Sequence, residues 1–368
     1  MSKESDILLV GQTPPPFHGQ AVMTDMLFKH DWRDLKVDCL RMAFSDDMGS
    51  VGEASCLKIW RLGVLVMKTW KKVIGSRPKV LYYLPASPNL TPVVRDVVYL
   101  GMVRWLFPKT ILHFHAGGLD EFYRKRKGLS FFTKFVYNGA DCAIDVNVTT
   151  PPSGEYFQAK KNEIVMNGLN VGQATRLRAY DGKFRLLYVG LLCVEKGVLD
   201  LVDVANRLKQ DGIVCEFAMV GAWVSLDVQR RFEKKATAAN VSELFHFSGA
   251  LSGDTKWQAY ADADIFLFPT RHPTETFGLV MIEAMAFGLP IVANRWRGVP
   301  HVVGGSGCAK LCEVGQPEQY ALAIQEIVCD DVLRCKMSAA ATEHYENHFT
   351  RRHFLDKMQK VFTELLGS

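Results

Sequence analysis

Two glutamates, Glu275 and Glu283, are the only charged residues in the stretch PTETFGLVMIEAMAFGLP, Pro273–Pro290. From Phe277 to Leu289 everything apart from Glu283 is apolar or glycine. The pattern predicts a helix over about 277–287 that stops at Gly288 and Pro290. Glu275 precedes its first turn. Glu283 lies about two turns in, and its neighbours at helical spacing (Leu279, Val280, Ala286, Phe287) are apolar. Burying an unpaired carboxylate is expensive, so its partners are expected from outside this helix. An ionised carboxylate only accepts hydrogen bonds, and the vicinal diols of a ribose or a hexose donate two.

A second constellation lies upstream. FRLLYVGLLCVEKGVLDLVDVANRL reads as strand, loop and helix, with the helix expected to begin near Gly197. A helix N-terminus offers free amides and a positive dipole end, which suits phosphate, and Lys196 beside it adds a full charge. A solvated Lys-Gly turn would have the same sequence. Asp262-Ala263-Asp264 has the spacing of a metal-binding D-x-D, but it stands at the entrance of the apolar run IFLFPT and reads as structural. Cys308 and Cys312 have no second cysteine pair or histidine cluster at zinc spacing, so no metal site is expected. His18 and His115 are the histidines to test first; His30 and His301 have only their positions to recommend them.

These groups need elements to hold them. Strand-like runs alternate with helix-length segments along the chain: DILLVG, KVLYYLP, TILHFHA, CAIDVNV, FRLLYVG, EFAMVG, DIFLFPT and PIVAN. That alternation predicts parallel α/β architecture, in which ligands sit at the carboxyl ends of the strands. The 368 residues suggest two domains at roughly 150 residues each. A new strand begins at Phe184 after the polar RLRAYDGK, which places the boundary near residue 175. Both halves read as doubly wound, Rossmann-like domains facing a central cleft.

Hydrophobic content of 48% and charged content of 23% are those of a globular protein. No run reaches the length of a membrane span, and the first residues, MSKESDILLVG, do not read as a secretory signal. The nine cysteines are expected to be reduced, in a cytoplasmic setting. Charge is unevenly spread: Lys58 to Lys134 holds fifteen Lys and Arg against three Asp and Glu, in a chain of net charge +5. An anionic partner of the first half is expected. Trp60 and Trp70 accompany Arg61, Lys68, Lys71 and Lys72, and Arg124, Lys125, Arg126 and Lys127 precede Phe131, Phe132 and Phe135. Basic residues mixed with interfacial aromatics fit an anionic membrane surface. No nucleic-acid fold signature accompanies them.

Several segments together resemble the retaining glycosyltransferases of the GT-B fold, family GT4. ETFGLVMIE, Glu275–Glu283, is similar to the family's E-x7-E motif. FRLLYVG…EKG resembles its donor-diphosphate strand and lysine loop. VMNGLN (Val165–Asn170), YADADIFLFPT, GLPIVANRWRGVPHVV and NHFTRRHFLDKMQKVFTELL resemble its junction, later strands and last helix. The likeness is strong over 160–368 and weak before. It implies a first domain over 1–175 completed by a C-terminal helix from about 350 to 368, and a donor domain over 176–349. It implies a nucleotide-sugar donor, UDP- or GDP-linked, a glycan or lipid-linked acceptor, retention of anomeric configuration, and no metal or other cofactor. The basic segments with their aromatics, together with a lipid-linked acceptor, would place the protein peripherally at the inner face of a membrane. Glu275 would contact the donor sugar. Phe277, Gly278 and Leu279 would bind it through backbone amides, and Glu283 would bind the ribose. Lys196, near Gly190, would neutralise the leaving diphosphate. His115 in HFHAGG would sit at the reaction centre, and Gly19 in GQTPPPFHGQA near phosphate and acceptor. Two positions depart from the family: Leu191 replaces an arginine of the diphosphate site, which Arg271 or Arg295 could replace, and His301 stands for a glutamate.

Other functions fit less well. A sugar-nucleotide epimerase needs a deprotonating constellation that cannot be identified here, and a pyridoxal phosphorylase would be much longer. A dehydrogenase would show G-x-G-x-x-G after a first strand. A nucleotide-sugar-binding protein without turnover stays open.

Overall fold

In the computed structural model, residues 4–15, 18–44, 56–148 and 152–367 are described. The chain divides into two units, Met1–Asn167 with Phe354–Ser368, and Gly168–His353.

The first unit is a parallel sheet of β1 (Ile7–Gly11), β2 (Val37–Arg41), β3 (Val80–Tyr83), β4 (Lys109–Phe114), β5 (Cys142–Asp145) and β6 (Asn162–Ile164), in the order β2-β1-β3-β4-β5-β6. The second is a parallel sheet of β7 (Phe184–Val189), β8 (Cys215–Val220), β9 (Phe245–Gly249), β10 (Ile265–Phe268), β11 (Ile291–Asn294) and β12 (Ala309–Cys312), in the order β12-β11-β10-β7-β8-β9. Central strands such as ILLVG, VLYY, IFLF and IVAN are buried at every position. Continuous apolar strands belong to parallel sheets covered by helices on both faces. Each unit has its own core: Leu8, Leu81, Leu112 and Tyr137 belong to the first, and Leu186, Phe217, Ile265 and Ile324 to the second. The architecture is α/β, with two doubly wound units.

Strand order reverses between β1 and β3 in the first unit and between β7 and β10 in the second. Crevices at the carboxyl ends of such strands are where open α/β sheets bind ligands.

The units part at Asn167/Gly168, upstream of the polar stretch from which residue 175 was read. Leu169 explains the difference. Its N–H donates to Phe349 O (2.9 Å), and its carbonyl accepts from Arg351 N–H (3.1 Å) and Tyr345 Oη–H (2.9 Å). A Cβ on Gly168 would come within 2.3 Å of Thr350 O, so only glycine allows this approach. The polar segment that follows is held down as well. Asp262 Oδ1 accepts from Leu177 N–H (2.8 Å) and Arg178 N–H (2.9 Å), and Asp264 pairs with Arg176 (2.8 Å) and Arg178 (3.4 Å). Both carboxylates of the D-x-D are thus used to fix the chain leading into β7. The last helix, Arg351–Gly367, joins the first unit through Phe362 against Trp32 and Tyr82 and through Lys161–Glu364 at 2.6 Å.

Candidate active site

In the second unit the loops that follow β7 and β10 meet at the switch point. β7 runs into Gly190, and a 3-10 turn over Val194–Lys196 leads to Gly197 at φ 79°. A side chain at Gly197 would place its Cβ 2.1 Å from Pro269 O, so the left-handed glycine lets the lysine loop lie on the end of β10. Arg271 N–H donates to Glu195 O (2.8 Å), tying the two loops together. Asn294, at the end of neighbouring β11, is buried and donates Nδ2–H to Pro269 O (2.7 Å) and Thr270 O (3.3 Å). On this frame Lys196 Nζ lies 2.5 Å from Glu275 Oε2, and Thr270 Oγ1 lies 3.4 Å from the same oxygen. The ammonium and carboxylate are 24% and 11% exposed, buried enough to interact strongly and open enough to meet a ligand.

The helix after β10 is Leu279–Ala286. Phe277 is buried, and Gly278 stands before the first turn at φ 73°, where a Cβ would lie 2.7 Å from Phe268 Cζ. No side chain caps this end, and its first turn carries no acid. Its amides can accept an anion. The helix after the lysine loop begins at Asp200 rather than near Gly197, because the 3-10 turn and Gly197 come first. Its first turn holds Asp200 and Asp203, which disfavours an anion there. An anion is therefore less favoured at this helix end than beside Lys196 and the uncapped amides at 278–280. Arg271 pairs with Asp200, and Arg295 pairs with Glu313 at 3.0 Å on the exposed end of β11. Leu191 is exposed, and its carbonyl accepts from Tyr188 Oη–H at 2.8 Å.

Glu283 finds partners outside its own helix. Its carboxylate is buried, but the chain itself supplies partners. Lys256 Nζ lies 2.6 Å from Oε1, and Tyr260 donates its Oη–H to Oε2 at 2.7 Å. Lys256 and Tyr260 are four apart on the helix Gly253–Ala261, so both point to one face. The apolar neighbours along Glu283's own helix gave no hint of this second helix. Burial, with Glu283 beside it, pushes the Tyr260 phenol well above its ordinary range and keeps it a donor. Each carboxylate oxygen thus has one partner from this second helix.

In the first unit the histidines gather at the carboxyl ends of β1 and β4. His18 precedes the helix Gly19–Phe28 and accepts Ala21 N–H on Nδ1 (3.3 Å), acting as its N-cap. Gly19 is the first residue of that helix; Pro16 and Phe17 of the same loop lie outside the described residues. His113 is fully buried, with Nδ1 2.5 Å from Tyr82 Oη, and its ring lies 4.2 Å from that of His115. His115 is half-buried as a residue, with its ring Nε2 buried. Burial first, then the charge of His18, lowers it to about 3; burial also holds His113 well below its usual range. Both are neutral near pH 7. His301 is half-buried on the short helix Val299–Val303, and burial lowers it too.

The sequence reading passed over His272. It is half-buried between the two loops; its Nδ1 lies 3.1 Å from Thr274 Oγ1, and its carbonyl accepts from Trp296 Nε1–H (2.8 Å). Burial and then Lys196 lower it, opposed by Glu275 and Glu195. Only the R-H-P turn between β10 and Glu275 could have flagged it. Among the described residues no group of three or more His, Cys, Asp or Glu is arranged to hold a metal ion.

The basic residues of the first unit divide. Lys71, Arg124, Lys125, Arg126 and Lys127 are exposed, as is Trp60 beside them in the sequence pattern. Lys72 pairs with Asp38 (2.7 Å) and Arg61 donates to Ala43 O (3.2 Å). Arg95 is bound to the buried Asp96 (2.6 Å), and Arg104 is buried against Val136 O. The positive surplus at the surface is smaller than the sequence count.

Solved structures share this fold. Sucrose-phosphate synthase from Thermosynechococcus elongatus superposes with a TM-score of 0.75 over 98% of this chain and 99% of that one, at 16% identity. Anabaena Alr3699/HepE in complex with UDP gives 0.72 over 98% and 100%, also at 16% identity. In sequence, the D-inositol 3-phosphate glycosyltransferase of Corynebacterium jeikeium is 26% identical over 236 residues, which are 62% of this chain and 54% of that protein. The chain thus spans about half the length of this relative. These likenesses give both units the glycosyltransferase GT-B fold. Residues 173–344, which carry Lys196, Glu275 and Glu283, match the family model of the glycosyl transferases group 1.

Proposed function

We propose that this protein is a glycosyltransferase that moves a sugar from a UDP- or GDP-sugar to a hydroxyl of a glycan acceptor. The acceptor is lipid-linked, and the protein works peripherally at the cytoplasmic face of a membrane in surface polysaccharide or glycolipid assembly. The observation that carries the reading is the meeting of Lys196 and Glu275 at the switch point of β7 and β10, beside the uncapped amides that begin Leu279–Ala286.

Transfer builds negative charge on the departing diphosphate and positive charge at the anomeric carbon. Stabilising charge where it develops is a large catalytic effect. Lys196 and the amides at 278–280 do this for the diphosphate without a metal. Glu275 takes the sugar hydroxyls, and Glu283, already oriented by Lys256 and Tyr260, shares its remaining acceptor capacity with the ribose. His115 of the first unit, neutral and held against His113, would act in the transfer through a hydrogen bond rather than a charge. The family's retention of configuration follows with attack from the leaving-group face.

Incubation of the purified protein with UDP- and GDP-sugars, with and without membrane extract, tests the reading. Release of nucleotide with sugar appearing on the extract, undiminished by EDTA, is the expected result. If sugar nucleotides raise the thermal midpoint but no nucleotide is ever released, the protein binds its ligand without turning it over, and the transferase reading is lost.

A further inference from the structure

Three helices of the first unit, Cys56–Ser76, Leu90–Val103 and Lys127–Tyr137, lie side by side with the middle one touching both others. The middle helix buries Val93, Tyr99, Leu100 and Val103 and turns Leu90, Val94, Val98 and Met102 to solvent, in steps of four. A surface helix ordinarily carries polar side chains on that face; this stripe has no charge. The apolar surface continues on both sides. Trp70 donates Nε1–H to Met102 O (3.3 Å), and the Trp105 and Phe135 rings meet at 5.5 Å between centroids. Trp60, Trp105 and Phe135 are 66%, 57% and 62% exposed. Exposed apolar surface of this extent marks a docking surface. Exposed lysines lie on the two outer helices: Lys68 and Lys71 on the first, lining a hollow with Asp38 and Leu40, and Lys127 and Lys134 on the third, Lys134 over the Tyr156 ring at 4.9 Å.

We propose that this three-helix face docks on a bilayer containing anionic lipid. The apolar stripe enters the interfacial layer, and the two basic rims meet headgroups. The charge pattern selects the occupant. A two-fold pairing of copies through this face would bring like-charged rims together, whereas an anionic lipid surface complements both rims and the uncharged centre at once. Tryptophan and phenylalanine at the ends of the stripe suit an interface that is apolar on one side and wet on the other. The inference rests on the membrane-side location proposed above and not on the transfer chemistry. It moves the main attachment from the basic cluster Arg124–Lys127 to the apolar stripe between the rims.

Vesicle flotation decides it, with phosphatidylcholine alone and with added phosphatidylglycerol. The wild-type chain is expected to float, and more strongly with the anionic lipid. Val98→Glu with Trp105→Ser, both at exposed positions, should cut the floated fraction roughly tenfold on either vesicle. Lys125→Ala with Arg126→Ala and Lys127→Ala should remove the preference for phosphatidylglycerol and leave residual binding. Unaltered circular dichroism melting in the variants shows that they fold. The proposal is overturned if the wild type floats with neither vesicle, or if Val98→Glu/Trp105→Ser floats like the wild type. It is also overturned if that variant turns a dimer into a monomer in sedimentation. Nucleotide release from sugar nucleotides in detergent is read separately, so failure to float and failure to transfer are distinct results.

Discussion

Glu283 shows how one carboxylate can hold two relationships at once. Its oxygens rest on Lys256 and Tyr260. Glu283→Gln would leave the Lys256 ammonium, 20% exposed, without its counter-charge, a loss expected to destabilise by about 2 kcal/mol. A lower urea midpoint is the measurement. Adding Lys256→Met removes the orphaned charge and should restore most of the midpoint. Donor KM separates structure from binding. If it stays raised in the stable double variant, Glu283 meets the donor; if it returns with the midpoint, the residue only braces two helices. The sequence showed that this glutamate needed partners, because its own helix offers none. It could not show that they come from another helix 23 and 27 residues upstream, since periodicity describes one helix at a time.

At the scale of elements, all eight strand-like runs read from the sequence are strands of the two sheets. The four that were not read, β2, β6, β9 and β12, are the outermost strands of their sheets. Their burial is partial, as in VDCLR and FHFSG, so they lack the continuous apolar run that marks a strand covered on both faces. The lysine loop was legible as a turn, but its tightness was not. Gly197→Ala would force a left-handed alanine whose Cβ meets Pro269 O at 2.1 Å. Backbone strain and clash together should cost about 2–3 kcal/mol and pull Lys196 away from Glu275. Gly182, at φ 85° with open space around it, is the matched control. Gly182→Ala should cost about 1 kcal/mol and leave activity intact. Chemical denaturation and donor turnover on both variants check this.

For the whole molecule, the buried histidines are expected to contribute to acid sensitivity. His113 and His115 are held neutral in the fold, whereas in the unfolded chain they titrate near the ordinary value of 6.5. Below that value the unfolded state binds protons that the folded state refuses, so stability is full above about pH 7 and falls as pH drops toward 3. Each such histidine contributes up to ~1.4 kcal/mol per pH unit across that window. His115→Asn should flatten the fall in thermal midpoint between pH 7 and pH 5, and an equally steep fall would put the acid sensitivity elsewhere. The division of the chain into two units was legible from its alternating pattern. The position of the break was not, because the polar residues 176–178 are bound by Asp262 and Asp264 from far along the chain.

On the proposed function, the contact of Lys196 with Glu275 would make the two ends of a donor energetically dependent on each other. A diphosphate would draw the ammonium off the carboxylate, and the carboxylate would then be free to accept sugar hydroxyls. Filling one half of the site prepares the other, which is positive cooperativity between two parts of a single ligand. Calorimetry with UDP and glucose as separate solutes should show each tightening the other's binding by roughly 5-fold or more. Lys196→Ala should abolish that mutual effect while leaving glucose free to bind alone. If UDP and glucose bind independently in the wild type, the lysine and the carboxylate serve their two ligands without communicating.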